Sequence, residues 1–159
     1  MAVKLPTLAV LLGVGGLVPF IGCAMVALSV SEPAATFWLQ ALIAYGAVIL
    51  SFLGGVHWGL ALSDPDAREQ NRLRFGLGVL ASLIGWAALL SMFLIAPEIA
   101  LAILIAGFSA TVLTETRLKR LELLPGGYLW LRWALSVVVV TILVAVLLLR
   151  LLGAHIVPA

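Results

Sequence analysis

Charge is scarce in this chain, and it comes in short bursts separated by long apolar runs. Five such runs cover roughly residues 7–30, 36–62, 75–96, 98–116 and 128–152. Each is long enough to cross a hydrocarbon core of about 30 Å at about 1.5 Å per helical residue. The predicted fold class is therefore all-α: a polytopic membrane protein, one bundle of five transmembrane helices over residues 1–159 with no soluble domain. With five spans, Lys4, Arg68, Arg72, Arg74, Arg117, Lys119, Arg120 and Arg132 fall on one side, leaving Arg150 as the one of nine cations on the other. The bias of positive loops toward the cytoplasm then predicts a cytoplasmic N-terminus and an external C-terminus.

Composition agrees. Only 10% of the residues are charged and 64% are hydrophobic, with a mean hydropathy of +1.26, where a soluble domain carries about 25% charged residues. The formal charge of +2 does not point to nucleic acid, because the cations sit at membrane boundaries, where they set orientation and meet anionic head groups. The expected surroundings are the lipid bilayer and either a membrane-protein partner or further copies of the chain; no nucleic-acid partner and no cofactor are expected. Cys23 is the single cysteine, so no disulfide closes within one chain and no cysteine metal site forms. Lys4 followed by apolar residues 5–18 has the polarity of a signal peptide, and Ile21-Gly22-Cys23 faintly resembles a lipoprotein cleavage box. Pro19 interrupts that segment and the apolar run continues past Cys23, so an uncleaved first span is expected.

The breaks between spans have local causes. Pro33 stops span one and restarts the next helix, and the glycines 13, 15 and 16 with Pro19 predict a kink near Pro19. Residues 65–74 read as a short helical connection with acids first and bases last, matching the helix dipole. Residues 75–116 as one helix would run about 63 Å, twice the core thickness, so Ala96-Pro97-Glu98 must be a tight external turn. Span four is expected to run on as helix through Arg117, Lys119 and Arg120 until Pro125-Gly126-Gly127 ends it. Trp58, Trp130 and Trp133 suit interface anchoring.

The richest segment is residues 45–59. Ser51, Gly55 and Gly59 recur every four residues, a small-residue stripe of the kind that lets membrane helices pack closely; Gly16 and Pro19 are the corresponding packing and kink candidates in span one. His57 lies on a different face, shared with Leu53, Gly54 and Ala61, about 8 Å inside the cytoplasmic end. A polar group at that depth needs a partner or water. Glu115 closes span four and Arg132 opens span five on the same side, with Tyr128 and Asp64 close in depth. These five residues form the candidate functional cluster. It reads either as a proton-handling or head-group pocket in that leaflet, or as hydrogen bonding that ties spans two, four and five together. No metal-ligand set, nucleophile elbow, zinc-helix motif or phosphate loop is present. Gly76-Leu77-Gly78-Val79-Leu80-Ala81 matches a dinucleotide fingerprint by spacing alone and, inside a span with no preceding strand, reads as helix packing.

Three segments carry a resemblance: Gly16-Leu17-Val18-Pro19-Phe20, the 49–59 run ending His57-Trp58-Gly59, and Glu115 followed by residues 128–132. Together they resemble the family of small bacterial membrane proteins similar to mitochondrial transmembrane protein 69, a domain of unknown function. The resemblance covers nearly the whole chain, and residues 51–59 are its most specific part. It implies a five-span helical protein of a bacterial inner membrane, or of the mitochondrial inner membrane in a eukaryote. It brings no activity, substrate or catalytic residue. The leading expectation is a non-enzymatic accessory or assembly subunit of a larger membrane complex, such as a respiratory one. The rivals are a small transporter or channel lined by His57, Glu115 and Arg132, and a lipid- or quinone-binding enzyme with His57 as general base. An odd number of spans argues against an inverted-repeat transporter, and the missing nucleophile and metal set the enzyme last.

Overall fold

A computed structural model describes residues 6–63, 68–120 and 126–153, the side chains of 68–70, 118–120 and 126–129 excepted. The described residues form helices alone: α1 Thr7–Gly15, α2 Leu17–Ser29, α3 Ala34–Ser63, α4 Arg68–Leu94, α5 Pro97–Arg120 and α6 Gly126–Leu151. With α1 and α2 counted as one interrupted span, five segments are long and apolar enough to cross a membrane. Their limits fall close to the five apolar runs, because with no water in the bilayer a backbone that leaves the helix loses its hydrogen bonds.

Pro19 determines where the first span breaks. Its nitrogen has no proton for the carbonyl of Gly15, one turn back, so the regular ladder fails upstream of the proline rather than at it. The break accordingly falls at Gly16, and Pro19 sits in the first turn of α2, where an N–H has no helical acceptor. The Tyr45 hydroxyl donates to the Gly16 carbonyl at 3.0 Å, which ties the break to α3. Tyr45 also meets Phe20 edge-on, with ring centroids 5.0 Å apart.

At the start of α3, the Glu32 carboxylate accepts from both the backbone N–H (3.1 Å) and the hydroxyl (2.6 Å) of Thr36. Pro97 is the first residue of α5, after a turn in which Ile95 and Ala96 both donate to the Ser91 carbonyl. The connection expected over 65–74 is continuous with α4 from Arg68 onward; residues 64–67, including Asp64, lie outside the described residues. Gly126 and Gly127 open α6 instead of closing the preceding helix, a correction to the expected boundary: a flexible pair near a helix end is compatible with either neighbour.

Consecutive spans pack side by side. The α1–α2 span also meets α6, which closes a ring, and α3 touches α5 across it. Leu42, Ile43, Leu50, Leu101, Leu104, Phe108, Leu143 and Val146 fill the centre with essentially no exposure. The buried positions repeat at three and four residues, the spacing of one helix face. On α6 they are Arg132, Ser136, Val139, Leu143 and Val146; on α4 they are Asn71, Arg74, Gly78, Ala81, Gly85, Ala88 and Met92, with Ser91 beside the last.

The closest approach is between α3 and α4, and Gly54 and Gly78 make it. A Cβ on Gly54 would fall on the carbonyl of Gly78, and one on Gly78 would fall on the Trp58 indole and within 2.7 Å of the Gly54 carbonyl. The Trp58 ring N–H donates to the Phe75 carbonyl at 3.1 Å over the same contact. Here the stripe expected to mediate packing needs correction. Ser51 does face α4, near Gly85, but Gly55 and Gly59 point outward, and among the described residues nothing beyond the local helix backbone comes within 4 Å of where a Cβ would stand. Their face lost the competition for the interior because His57 lies on the opposite one, and a polar group in lipid is driven inward.

Candidate functional site

The site grows from two residues that have no low-energy alternative to each other. Glu115 ends the apolar part of α5 with its side chain fully buried, and Arg132 lies almost two turns into α6, 6% exposed. Each alone would leave an isolated charge in a low-dielectric interior. They meet across the α5–α6 contact: Arg132 Nε donates to Glu115 Oε1 at 3.3 Å and lies 3.1 Å from Oε2. The guanidinium also donates from Nη1 to the Ser136 hydroxyl, one turn along α6, at 3.0 Å, and from Nη2 to the Thr111 hydroxyl, one turn back from Glu115, at 3.2 Å. The Thr111 hydroxyl in turn donates to the Phe108 carbonyl at 2.8 Å. Helical periodicity makes this possible, since Thr111 and Glu115 share one face of α5, and Arg132 and Ser136 share one face of α6.

Satisfaction is incomplete. Glu115 Oε2 is buried and receives no hydrogen bond. Three of the five guanidinium N–H groups are engaged with acceptors, so two donors remain on Nη1 and Nη2.

His57 is buried on α3 between Gly54 and Ala61, on the face its spacing predicts. Its Nδ1 is enclosed without a well-formed hydrogen bond. Arg132 and Arg74 are both within electrostatic reach of it, whereas Glu115 pairs with Arg132. Arg74, at the start of α4, is itself buried and donates from Nη1 to the Leu60 carbonyl (3.3 Å) and to the Asn71 side chain (3.2 Å). A cation is favourable there, since Leu60 lies at the C-terminal end of α3. Tyr128 lies in the first turn of α6 with its side chain outside the described residues, as is Asp64.

Two cavities flank this layer, and Leu53 lines both. The first, about 40 Å³, lies between α3, α4 and α5, bounded by His57, Gly54, Ala81, Gly107, Thr111 and Thr114. It is large enough for ordered water. The second, about 140 Å³, lies between α1–α2, α3, α5 and α6. Its walls are apolar, with Phe20, Phe52 and Phe108 among them, and its polar end is Arg132 and Ser136. Among the described residues, no three of His, Cys, Asp and Glu come together as a metal site would require.

Sequence reasoning singled out His57, Glu115 and Arg132 and missed Thr111, Ser136, Asn71 and Arg74. The signal existed. Asn71 and Arg74 continue the stripe of small residues Gly78, Ala81, Gly85 and Ala88 at the same three-and-four spacing, and Ser136 stands one turn from a cation that had to be buried. At the opposite end of the α5–α6 pair, Arg150 Nε donates to Glu98 Oε1 at 2.9 Å, a half-exposed ion pair.

Comparison with known proteins places these observations in a family. The model of the family described as "Protein of unknown function (DUF3429)" matches residues 5–148 and so includes the first four spans, most of the fifth and the Glu115–Arg132 pair. Transmembrane protein 69 of Xenopus tropicalis is 36% identical over 88 residues, which is 54% of this chain and 33% of that protein. The chain thus aligns with about a third of the length of this curated relative. No solved structure matches.

Proposed function

The chain belongs to the DUF3429 family, and we propose that this member is a non-enzymatic accessory or assembly subunit of a larger inner-membrane complex. The observation that carries this reading is the outer face of α3. Val48, Phe52 and Leu62 are exposed there, alternating at three and four residues with Gly55 and Gly59, which no described residue covers. A seam of this spacing with glycines at its middle presents a groove into which the backbone of another membrane helix fits. Since α3 already packs α2, α4 and α5 on its other faces, a helix seated on the seam would join the bundle directly.

The proposed orientation keeps the N-terminus and the Arg68–Arg74 and Arg117–Arg120 connections on the cytoplasmic or matrix side. The membrane is then the bacterial inner membrane, or that of the mitochondrion in a eukaryote. The test is purification of the tagged native protein in mild detergent after crosslinking, with mass spectrometry. A stoichiometric partner that is lost in Gly55→Leu and Gly59→Leu, while the monomer's melting temperature is kept, is the expected result. Recovery of the chain alone, or a partner indifferent to both substitutions, overturns the reading.

A further inference from the structure

We propose that the larger cavity is a binding site for a neutral, carbonyl-bearing ring with an apolar tail, the chemistry of a quinone head group. Volume comes first. A cavity of about 140 Å³ is close to the roughly 150 Å³ apolar cavity known to accommodate benzene, so it matches one six-membered ring rather than a bulky head group. Phe20, Phe52 and Phe108 supply aromatic faces and edges for such a ring. Leu12 and Phe52 stand at the wall and are themselves about two-thirds exposed, so the cavity opens between α1 and α3 toward the lipid, and a tail has a way out.

Hydrogen-bonding chemistry narrows the ligand. The polar end of the cavity is Arg132, which is 94% buried (6% exposed) and keeps two N–H donors unused after its bonds to Glu115, Ser136 and Thr111. The occupant must therefore offer an acceptor. It must also be uncharged: Glu115 already neutralises the guanidinium, and a second anion beside it would stand uncompensated in a medium of low dielectric. A carboxylate or phosphate head is disfavoured on that ground. An alkyl chain fills the volume but leaves both donors without acceptors. A ring carbonyl meets all three conditions, and its binding requires no electron transfer.

The probe is 2-decyl-1,4-benzoquinone, whose ring carries no substituent but the tail, titrated calorimetrically into the purified full chain in nanodiscs, with decanoic acid as the anionic competitor. Saturable binding of one quinone per chain is expected. Leu135→Phe, which narrows the cavity and leaves the ion pair untouched, should weaken it about tenfold or more. Arg132→Met with Glu115→Leu, which removes the donors without orphaning a charge, should abolish it in a chain that still melts cooperatively. Leu135→Phe alone decides the matter if the double variant does not fold. No saturable binding to the wild type, equal affinity in Leu135→Phe, or displacement by decanoic acid at equal concentration overturns the proposal.

Discussion

Glu115 and Arg132 are worth more together than the sum of what each is worth alone. Removing one partner leaves the other charge buried and unpaired, which costs about 3–5 kcal/mol, whereas replacing both with apolar groups of similar volume is often neutral or stabilising. Arg132→Met alone should therefore lower the thermal midpoint of the protein in detergent steeply, and Arg132→Met with Glu115→Leu should recover most of the loss. A double variant no better than the single one would show that Ser136 and Thr111, not the charge pair, hold the contact. His57 behaves differently. Its buried Nδ1 has no well-formed hydrogen bond, so His57→Leu removes an imperfectly paired polar group and should change stability by less than about 1 kcal/mol. A fall of about 2 kcal/mol in denaturant unfolding would instead mark the imidazole as a hydrogen-bonded strut between helices.

Among the helices, the α3–α4 contact is the one most sensitive to added volume. A side chain at Gly54 would meet the Gly78 backbone, which cannot rotate aside, so Gly54→Val should cost at least the roughly 1–3 kcal/mol typical of overpacking. Gly55→Val, one residue away and facing outward, should leave the monomer's melting temperature nearly unchanged; comparable losses in the two variants would refute the assigned faces. This pair also shows what was legible in the sequence. The span limits could be read directly, because hydropathy and the cost of unpaired backbone in lipid act on the same residues. Which small-residue stripe faces inward could not be read from spacing alone, since both faces of a membrane helix are apolar. The polar residue breaks that symmetry: with His57 forced inward, Gly54 and Ala61 go in with it and Gly55 and Gly59 go out. The same logic applied to α4 would have buried Arg74 and Asn71 beside the small residues of their stripe. The cavities were not legible at all, because they depend on how three or four helices lean together.

Across the whole molecule, α5 and α6 are joined at both ends, by Glu115–Arg132 in the core and Glu98–Arg150 at the rim, about 25 Å apart along the helix at about 1.5 Å per residue. The two pairs lie near opposite membrane faces, so they mark sidedness as well as packing. The rim pair is partly solvated and contributes about 0–1 kcal/mol, but it occupies Arg150, the one cation on the C-terminal side of the predicted topology. Eight of the nine cations fall on the opposite side, so the charge asymmetry that orients a membrane protein is close to its maximum for nine cations. The prediction is a single orientation with the termini on opposite sides. A green fluorescent protein fused after Arg120 should fluoresce, since it folds only in the cytoplasm, and alkaline phosphatase fused after Gly153 should be active, since it needs the oxidising exterior. The reverse pattern would place the N-terminus outside, and activity of both reporters at one site would mean a dual orientation. The first result would move the Arg132 cavity to the opposite leaflet, and the second would place it in both.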